Sequence, residues 1–314
     1  MKEAINLSII VVNYKTPHLT LRCLESIFNS NISISFEVIV VDNYSKDHSK
    51  RIIRDKFHKV VWIQSKYNSG FGRGNNLGII KAKGEYILLL NSDLVVEKNT
   101  IQLCFNHFIS IKKLGVLSCN ILNPDGTPQK YVSTIANYKK ILERNLLVDF
   151  IKKTDFQYRL EAVMGSFMMF EKDAFLEVGM FDPDFFMYSE EIDLCNRYKK
   201  KGYKIEVLDT IYVYHDNGGS TNDRTWANRQ SYLSSALLFL KVKGCIGFMM
   251  FHFLVVFNFI TNFFLMWFID KNYRSDYLKD LSNYLSNFFI YLKIPLLYST
   301  NIGSGKRMLK LKKD

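Results

Sequence analysis

The chain lacks the cysteine patterns that build disulfide frameworks or zinc sites. Its cysteines are odd in number and widely spread, and no two of them form a CxxC pair. They are Cys23, Cys104, Cys119, Cys195 and Cys245. Neither a secreted disulfide scaffold nor a zinc module is therefore expected, and a reduced, cytosolic compartment fits best.

Several other signals are missing. No apolar targeting segment precedes the first strand-like run, and the chain has no internal repeat or low-complexity tract. The glycine-rich stretch 68–76 contains GxG but not GxGxxG, because Leu77 takes the place of the third glycine, and it lacks the Lys-Ser/Thr ending of a P-loop. The first run is followed by Asn13-Tyr14-Lys15-Thr16-Pro17 rather than by glycines, which argues against an NAD-dependent dehydrogenase.

Composition and charge describe a globular chain with a basic end. Its 314 residues are 48% hydrophobic and 23% charged, enough for one large domain or two modest ones. The formal net charge is +12, and from Lys241 onward eleven Lys and Arg face four Asp, so that +7 lies in the most apolar quarter. This placement favours an anionic membrane surface over nucleic acid or a merely solvated basic face.

Short apolar runs alternate with helix-like stretches over the first hundred residues. The runs are residues 7–12, 37–41 and 86–90, and the helical stretches are roughly 18–30, 46–57 and 73–83. Further on, 163–170 and 203–214 read as strands and 190–201 as a helix. Runs of this kind are typical of strands buried on both faces, so the pattern predicts an α/β fold with a doubly wound, mostly parallel sheet flanked by helices.

Polar residues follow each of the first three runs. Ligands of such sheets bind at the carboxyl ends of the strands, which points to Asn13-Tyr14, Asp42-Asn43 and Asn91-Ser92-Asp93. Oxygen ligands of the third group suit Mg²⁺ or Mn²⁺ beside a diphosphate, although these residue types are equally common helix or turn caps. Asp42 can accept from a base N–H or a ribose hydroxyl, or it can cap the next helix.

Two more stretches carry candidate chemistry for phosphate binding and for metal binding. Glycines in segment 68–76 let the backbone approach a phosphate at a helix N-terminus, and Arg73 adds a charge, although a plain turn explains the pattern as well. His215 follows the run 203–214 and can supply an imidazole ligand to a metal, or be an ordinary hydrogen-bonded histidine.

An acidic stretch, residues 181–193, is the most unusual part of the sequence. Glu190, Glu191 and Asp193 crowd the first turn of a predicted helix, where the helix dipole favours negative charge. Crowding beside apolar neighbours also raises the pKa of a carboxyl group towards the range of a general base. The stretch is therefore either a helix start or the source of a catalytic base.

Taken together, these stretches resemble family 2 glycosyltransferases with the GT-A fold, in particular bacterial rhamnosyltransferase-like members. The matching pieces are SIIVVNYKT, VIVVDNYSKD, NSGFGRGNN, LLLNSDLVV, GSFMMFEKDAFLEVGMFD, FFMYSEEIDLCNR and YHDNGGS. They occur in the expected order from about residue 6 to 220, whereas residues 221–314 are not covered.

The resemblance implies a role for each candidate residue. Those near the nucleoside would be Val12, Asn13, Tyr14 and Asp42, and those near the diphosphate or sugar Gly70, Gly72, Arg73, Asn76, Asn91 and Ser92. The metal would be held by Asp93 and His215, with Asn91 in place of the first carboxylate of a DxD motif. Glu191 would be the base of the Glu190-Glu191 pair, with Asp193 as the fallback, and the acceptor side would include Gly165, Ser166 and Tyr188.

The implied reaction is an inverting transfer that depends on Mg²⁺ or Mn²⁺. The leading donor is dTDP-L-rhamnose, with UDP-hexoses or UDP-galactofuranose as the alternative. The acceptor would be a hydroxyl of a glycan or lipid-linked saccharide in bacterial cell-surface polysaccharide synthesis, such as O-antigen or cell wall. A nucleotidyltransferase and a catalytically inactive sugar-binding scaffold are lower-ranked alternatives.

The domain boundary is predicted near residue 225. Residues 1–225 would form the catalytic domain, with the nucleotide-sugar half at about 1–120 and the acceptor half at 121–225, and 226–314 a helical extension. Within it, the segment 246–269, which ends at Phe268-Ile269, has 24 positions without formal charge and is long enough to cross a bilayer. The same segment can also lie in the membrane interface or pack in a homodimer. We expect the cytoplasmic face of a membrane, with peripheral, shallow or single-span attachment.

Overall fold

The structure is a computed structural model that describes residues 4–129, 135–142, 160–216, 223–265 and 271–303. Its strands are β1 (Leu7–Asn13), β2 (Phe36–Asp42), β3 (Val61–Gln64), β4 (Tyr86–Asn91), β5 (Leu94–Val96), β6 (Leu114–Leu122), β7 (Phe167–Glu171) and β8 (Lys204–His215). Its helices are α1 (Pro17–Phe28), α2 (Ser49–Lys56), α3 (Gly70–Lys81), α4 (Thr100–Ser110), α5 (Tyr138–Leu142), α6 (Lys172–Glu177), α7 (Glu190–Lys200), α8 (Arg224–Leu265), α9 (Lys271–Leu292) and α10 (Ile294–Leu297).

The eight strands form one mixed sheet in the order β3-β2-β1-β4-β7-β6-β8-β5. The pairs β1–β2, β1–β4, β2–β3 and β6–β8 are parallel, whereas β4–β7, β6–β7 and β5–β8 are antiparallel. The three apolar runs predicted as buried parallel strands are confirmed as β1, β2 and β4. The α/β class is confirmed as well, although beyond β4 the sheet is more mixed than the sequence predicts.

Strand register brings the predicted polar strand ends to one edge of the sheet. Asn13 pairs with Asp42, Val12 pairs with Asn91, and Asp42 pairs with Gln64. All of these positions are at or near the carboxyl ends of parallel strands, which is where open α/β sheets bind ligands. The register therefore places the three polar strand ends beside one another, and their role in ligand binding stays a prediction.

The short strand β5 explains how distant parts of the chain meet. Its first residue, Leu94, pairs with His215 at the end of β8, and the Asp216 N–H donates to the Asp93 carbonyl at 3.1 Å. Because β5 begins directly after Asp93, this antiparallel pairing carries Asp93 to the end of β8.

The glycine-rich stretch is helical earlier than the sequence predicts. Helix α3 begins at Gly70, where φ is 81°, rather than near residue 73, so most of the expected loop is the first turn of the helix. Close packing accounts for one glycine: a Cβ on Gly78 would lie 2.7 Å from the Ile10 side chain and 3.0 Å from that of Val41. The helix therefore needs glycine there to lie against β1 and β2.

The described residues fall into two compact units, each with its own apolar core. The first contains the sheet and takes in residues 4–129, 160–182 and 194–216. The second takes in residues 135–142, 183–193, 223–265 and 271–303. Its last part begins at Asp223, close to the predicted boundary near residue 225, but it also includes two earlier segments.

Gly244 divides α8 into two arms of the second unit. With φ 68° and ψ −166° this residue leaves the helical conformation, and glycine tolerates such values without strain. We call residues 224–243 the proximal arm and residues 245–265 the distal arm. By length and composition Thr225–Leu265 can cross a membrane, and 39% of its most apolar window is buried within the protein. The distal arm covers the first part of the predicted apolar segment; 266–269 lie outside the described residues.

Candidate active site

The first unit brings together Asp93 and His215, two of the residues expected to bind metal. Oδ1 of Asp93 lies 3.2 Å from Nε2 of His215, and both side chains are buried. The short β5–β8 pairing fixes this proximity, because Asp93 directly precedes Leu94 and Leu94 pairs with His215. The two residues are 122 positions apart in the chain (215 − 93), so their contact is a product of the fold.

Gln129 holds the His215 ring in a defined orientation, although no motif of the sequence marks this residue. Its Nε2 donates to the His215 carbonyl at 2.9 Å and to Asn123 Oδ1 at 3.0 Å, which leaves its Oε1 facing His215 Nδ1 at 3.0 Å. An amide oxygen only accepts, so Nδ1 carries the proton of the neutral ring. The lone pair of His215 Nε2 is therefore directed towards Asp93.

This geometry fits a divalent cation. Asp93 Oδ1 is buried, yet among the described residues it accepts no well-aligned hydrogen bond, so an acceptor oxygen and a ring lone pair face each other. A cation between them satisfies both, and a ligand that is oriented by a second hydrogen bond is common at metal sites. The described residues contain no group of three or more His, Cys, Asp or Glu side chains placed to hold a metal ion, so phosphate oxygens and water would complete the coordination, as Mg²⁺ sites often require.

A second cluster closes the ends of β1, β2 and β3. Asn13 Nδ2 donates to Asp42 Oδ1 at 2.7 Å, and Asp42 Oδ2 accepts from Gln64 Nε2 at 2.6 Å and from the Ser45 N–H at 3.0 Å. Asn13 Oδ1 accepts from Thr20 at 2.9 Å. Asn13 and Asp42 are buried and already bonded, so they shape this edge, and their contact with a nucleoside stays a prediction.

Asn43 is a further residue that the candidate set omits. Its Oδ1 accepts from the Ser69 N–H at 3.0 Å, and its Nδ2 donates to the Gly70 carbonyl at 2.9 Å. These two bonds tie the end of β2 to the start of α3. The sequence does indicate this residue, since Asn43 directly follows Asp42 at the end of a predicted strand.

The remaining candidates for the donor lie around the start of α3 and the end of β1. A Cβ on Gly74 would approach a methyl group of the half-buried Val12 to 3.3 Å. Asn76 uses its amide on the backbone of Phe181, donating at 2.8 Å and accepting at 3.1 Å. Gly72 and Arg73 lie in the first turn of α3, and Tyr14 is half-buried after β1. Their roles in donor binding stay predictions.

The end of β4 also meets one of the residues expected on the acceptor side. The Asn91 N–H donates to the Ser166 carbonyl at 2.9 Å, and the Ser92 hydroxyl lies 3.2 Å from that of Thr16. The Ser166 hydroxyl is buried and has no hydrogen-bond partner among the described residues. Ser166 and its neighbour Gly165 therefore lie beside the end of β4, two residues before Asp93 in the chain.

The acidic residues of α7 differ in their environments. Glu190 is buried in the second unit, and burial together with the neighbouring Glu191 carboxylate raises its pKa well above the ordinary range of a glutamate. Glu191 is only half-buried, whereas Asp193 is buried. Of the three, Glu191 is the carboxylate that solvent or a substrate reaches most easily. All three occupy the first turn of α7, so the structural role of acidic residues at helix starts applies too.

The proximal arm anchors the loop that precedes this helix. Lys241 Nζ forms a buried ion pair with Asp184 Oδ2 at 2.9 Å, and the Ser234 hydroxyl donates to the Met187 carbonyl at 2.7 Å. Phe186 packs edge-on against Trp226, another proximal-arm residue.

The loop itself is strained where it enters α7. Tyr188 and Ser189 adopt positive φ values of 72° and 68°, which non-glycine residues rarely do. Strain of this kind persists only when neighbouring contacts hold it. The proximal arm therefore fixes the backbone from which Glu190 and Glu191 project.

Comparison with known proteins gives a consistent result. The model of Glycosyl transferase family 2 matches residues 8–179, and that of the N-terminal domain of galactosyltransferase matches 146–216. The low-salt glycan biosynthesis hexosyltransferase Agl10 of Haloferax volcanii is 32% identical over 219 residues, 66% of this chain and 67% of that protein. Glycosyltransferase GlyG of Streptococcus pneumoniae is 25% identical over 232 residues, covering 70% and 75%.

Among solved structures, the mannosyltransferase PcManGT from Pyrobaculum calidifontis, in complex with GDP-Man and Mn²⁺, is similar with a TM-score of 0.58. The match covers 92% of this chain and 88% of that chain at 12% sequence identity. At this identity the likeness concerns the fold.

Proposed function

This chain belongs to glycosyl transferase family 2 and has the GT-A fold, and on that premise we propose that it is a metal-dependent, inverting transferase that moves a hexose from a nucleotide sugar to an acceptor hydroxyl. One observation carries the proposal most directly: the buried contact between Asp93 and His215, with the His215 ring oriented by Gln129.

Two residues would hold the metal, and a third would act as base. Asp93 Oδ1 and His215 Nε2 are the protein ligands, with Asn91 close by at the end of β4. When bound, a divalent cation supplies Lewis-acid stabilisation of the charge on the nucleoside diphosphate. Glu191 accepts the proton of the acceptor hydroxyl, whose oxygen bonds to the anomeric carbon as the bond to the diphosphate breaks. Glu191 is chosen because its side chain is only half-buried and can meet a substrate, whereas Glu190 is buried.

Donor and acceptor are proposed at a finer level. L-rhamnose from dTDP-rhamnose is the leading donor, UDP-hexose and UDP-galactofuranose are the alternatives, and GDP-mannose joins the panel because PcManGT was solved with it. The acceptor is a glycan or lipid-linked saccharide of cell-surface polysaccharide synthesis, used at the cytoplasmic face of a membrane. A lipid-linked acceptor suits a chain whose apolar, basic quarter follows the catalytic residues.

The test is release of nucleoside diphosphate by the full chain from this donor panel, with Mg²⁺, with Mn²⁺ and with excess chelator. We expect release from one nucleotide sugar that depends on divalent metal and rises with a saccharide acceptor. Pyrophosphate release from a nucleoside triphosphate and sugar phosphate would instead identify a nucleotidyltransferase. Binding of the donor without any turnover would identify an inactive sugar-binding scaffold.

A further inference from the structure

The distal arm turns a continuous apolar face outward. Its most exposed large side chains recur every three or four residues along the helix, so that they share one side. They are Ile246, Met249, Met250, Phe253, Phe257, Ile260, Phe263 and Phe264. Ile246 is 75% exposed and Phe264 68%, far from the burial expected of such residues in a water-soluble helix.

Three polar residues of the same arm, His252, Asn258 and Asn262, are buried. His252 Nδ1 lies 2.6 Å from the Tyr284 hydroxyl, and burial lowers the pKa of His252 to about 4, so its ring is neutral at pH 7. Asn258 donates to the Ile141 carbonyl at 2.6 Å, and Asn262 is buried. The buried side also carries Phe248, Phe251, Val255 and Phe259, so the arm is apolar on both sides and keeps its most polar side chains inside, which is the pattern of a helix in contact with lipid.

A groove between the distal arm and α9 continues this face. It has a volume of about 320 Å³, and every residue that lines it is apolar or aromatic. Its lining includes the exposed Ile260, Phe264 and Leu285 and the buried Phe259 and Tyr284. The volume is at the lower end of the ~300–1,000 Å³ of typical ligand pockets, but the lining offers no polar group for orienting a polar ligand.

Beyond the groove, α9 and α10 present a second exposed apolar row. Its members are Leu285, Phe289, Leu292 and Leu296, again three or four residues apart, and Leu296 is 83% exposed. The face is therefore shared by three helices of one unit.

The packing of α9 along the distal arm decides between crossing the membrane and lying on it. Tyr277 contacts Phe259, and Tyr291 stacks on His252, so α9 accompanies the arm along its length. Yet α9 also carries Arg274, Lys279 and Asp280, and a charged side chain within the hydrocarbon of a bilayer is strongly unfavourable. A crossing arm would draw α9 into the hydrocarbon with it, whereas an arm lying in the interface leaves these charges in water.

The charge of this part of the chain completes the argument. From Lys241 onward the sequence carries eleven basic residues and four acidic ones, which complements anionic headgroups. An exposed apolar face next to such a surplus of positive charge matches an interfacial helix on an anionic membrane. A surface used only for pairing two copies of the chain gains nothing from that surplus, because like charges repel.

We propose that the distal arm lies in the plane of the membrane within one leaflet, and that the groove between it and α9 takes up one hydrocarbon chain of a lipid from that leaflet. Charged groups of α9 remain at the headgroups, and the exposed rows of both helices enter the acyl region. This assignment goes beyond sugar transfer and holds for any donor, because it concerns only the second unit.

Depth measurements test the orientation. Four of the cysteines are buried and only Cys245 is exposed, so a Cys245→Ser background accepts single labels at Ile246→Cys, Phe257→Cys or Phe264→Cys. Residues 246 and 257 are separated by ~16 Å along a helix. For an arm in the plane, depth-dependent quenching by labelled lipids in anionic vesicles should place the three probes at similar depths. A probe at 257 near the bilayer centre, with shallow probes at both ends, would overturn the proposal in favour of a span.

Binding measurements test the face and the groove separately. Ile260→Glu should lower flotation with phosphatidylglycerol vesicles at least tenfold, whereas Ile109→Glu, in α4 and equally exposed (53% against 54%), should leave it unchanged. Ile260→Trp keeps the face apolar but fills the groove, so it should retain vesicle binding and lose saturable binding of a fluorescent C16 fatty acid.

Each part of the proposal has an experimental outcome that would contradict it. If the wild-type chain binds no fatty acid saturably, the groove assignment is wrong. If it forms a stable dimer by sedimentation and binds no vesicles, the face is an interface between copies. Donor turnover in detergent is measured in parallel, so a failure of lipid binding is distinguishable from a failure of the catalytic proposal.

Discussion

Replacing Gln129 with alanine removes the group that orients a proposed metal ligand without touching the metal itself. Both of its contacts to His215, to Nδ1 and to the carbonyl, disappear. The ring is then free to rotate or to change tautomer, so that its Nε2 lone pair no longer faces Asp93. Loss of such an outer contact typically costs 10–100-fold in metal affinity, which corresponds to about 1.4–2.7 kcal/mol.

The assay is nucleoside diphosphate release titrated with Mn²⁺. For Gln129→Ala the metal concentration at half-maximal rate should rise by ~10–100-fold, with the rate at saturating metal largely recovered. His215→Ala should raise it at least as far, since a ligand is lost. Gln102→Ala, which removes a surface hydrogen bond to the Ser33 N–H, is the matched control and should change nothing.

A double substitution makes the reasoning sharper. If Gln129 acts only through His215, adding Gln129→Ala to His215→Ala should produce no further shift in metal dependence. Additive shifts, or an unchanged titration in Gln129→Ala with the thermal unfolding midpoint preserved, would refute the role assigned to Gln129 and return His215 to an ordinary structural histidine.

Three further predictions concern the second unit. Glu191→Gln should lower kcat by ~10²–10⁴-fold with donor affinity retained, as measured by single-turnover kinetics and donor titration; if Asp193→Asn is the dead, folded, donor-binding variant instead, the base is misassigned. The raised pKa of Glu190 means that the folded state keeps a proton that the unfolded state releases, so stability present at acid pH should fall as pH rises above ~4.3, by up to ~1.4 kcal/mol per unit. Urea unfolding from pH 4.5 to 8 should show a shallower fall for Glu190→Gln, and identical slopes would contradict this. Lys241→Met should cost about 3–5 kcal/mol of unfolding free energy because it removes the cation from the buried ion pair with Asp184, and adding Asp184→Asn should restore part of it.

The ion pair between Lys241 and Asp184 also affects how the membrane segment is studied. A chain ending near residue 240 would remove Lys241 together with the distal arm and disturb the loop before α7. Loss of activity in such a truncation therefore says nothing about membranes. Single exposed substitutions on the distal arm separate the two effects.

The parts of the fold that could be predicted are those in which local pattern and tertiary context agree. The runs that became β1, β2 and β4 are continuous and β-branched, as strands buried on both faces should be. Strands β3, β5 and β6 were missed: β3 is largely exposed, β5 has only three residues, and the apolar run of β6 is interrupted by Gly115, Ser118 and Asn120. The start of α3 was placed too late because its glycines read as a loop, while close packing against β1 and β2 is what requires them.

The residues of the candidate site likewise divide into those that the sequence predicts and those that it does not. Asp93 and His215 were found because residue type and strand ends marked them, and the structure brings them together. Gln129 left no such mark. It reaches His215 because a turn after β6 folds residue 129 back so that its N–H donates to the Ile121 carbonyl, and because β6 lies beside β8. Contacts that depend on strand order are not written in local sequence.

The central claim is that Asp93 and His215 form the metal site of a glycosyltransferase, and Asp93→Ala tests it most directly. Nucleoside diphosphate release by the full chain and by this variant is measured with the cognate nucleotide sugar at saturating Mn²⁺, alongside thermal unfolding of both proteins. We predict that the variant keeps its fold and loses turnover at every metal concentration. Turnover equal to that of the unaltered chain at saturating metal would contradict the account.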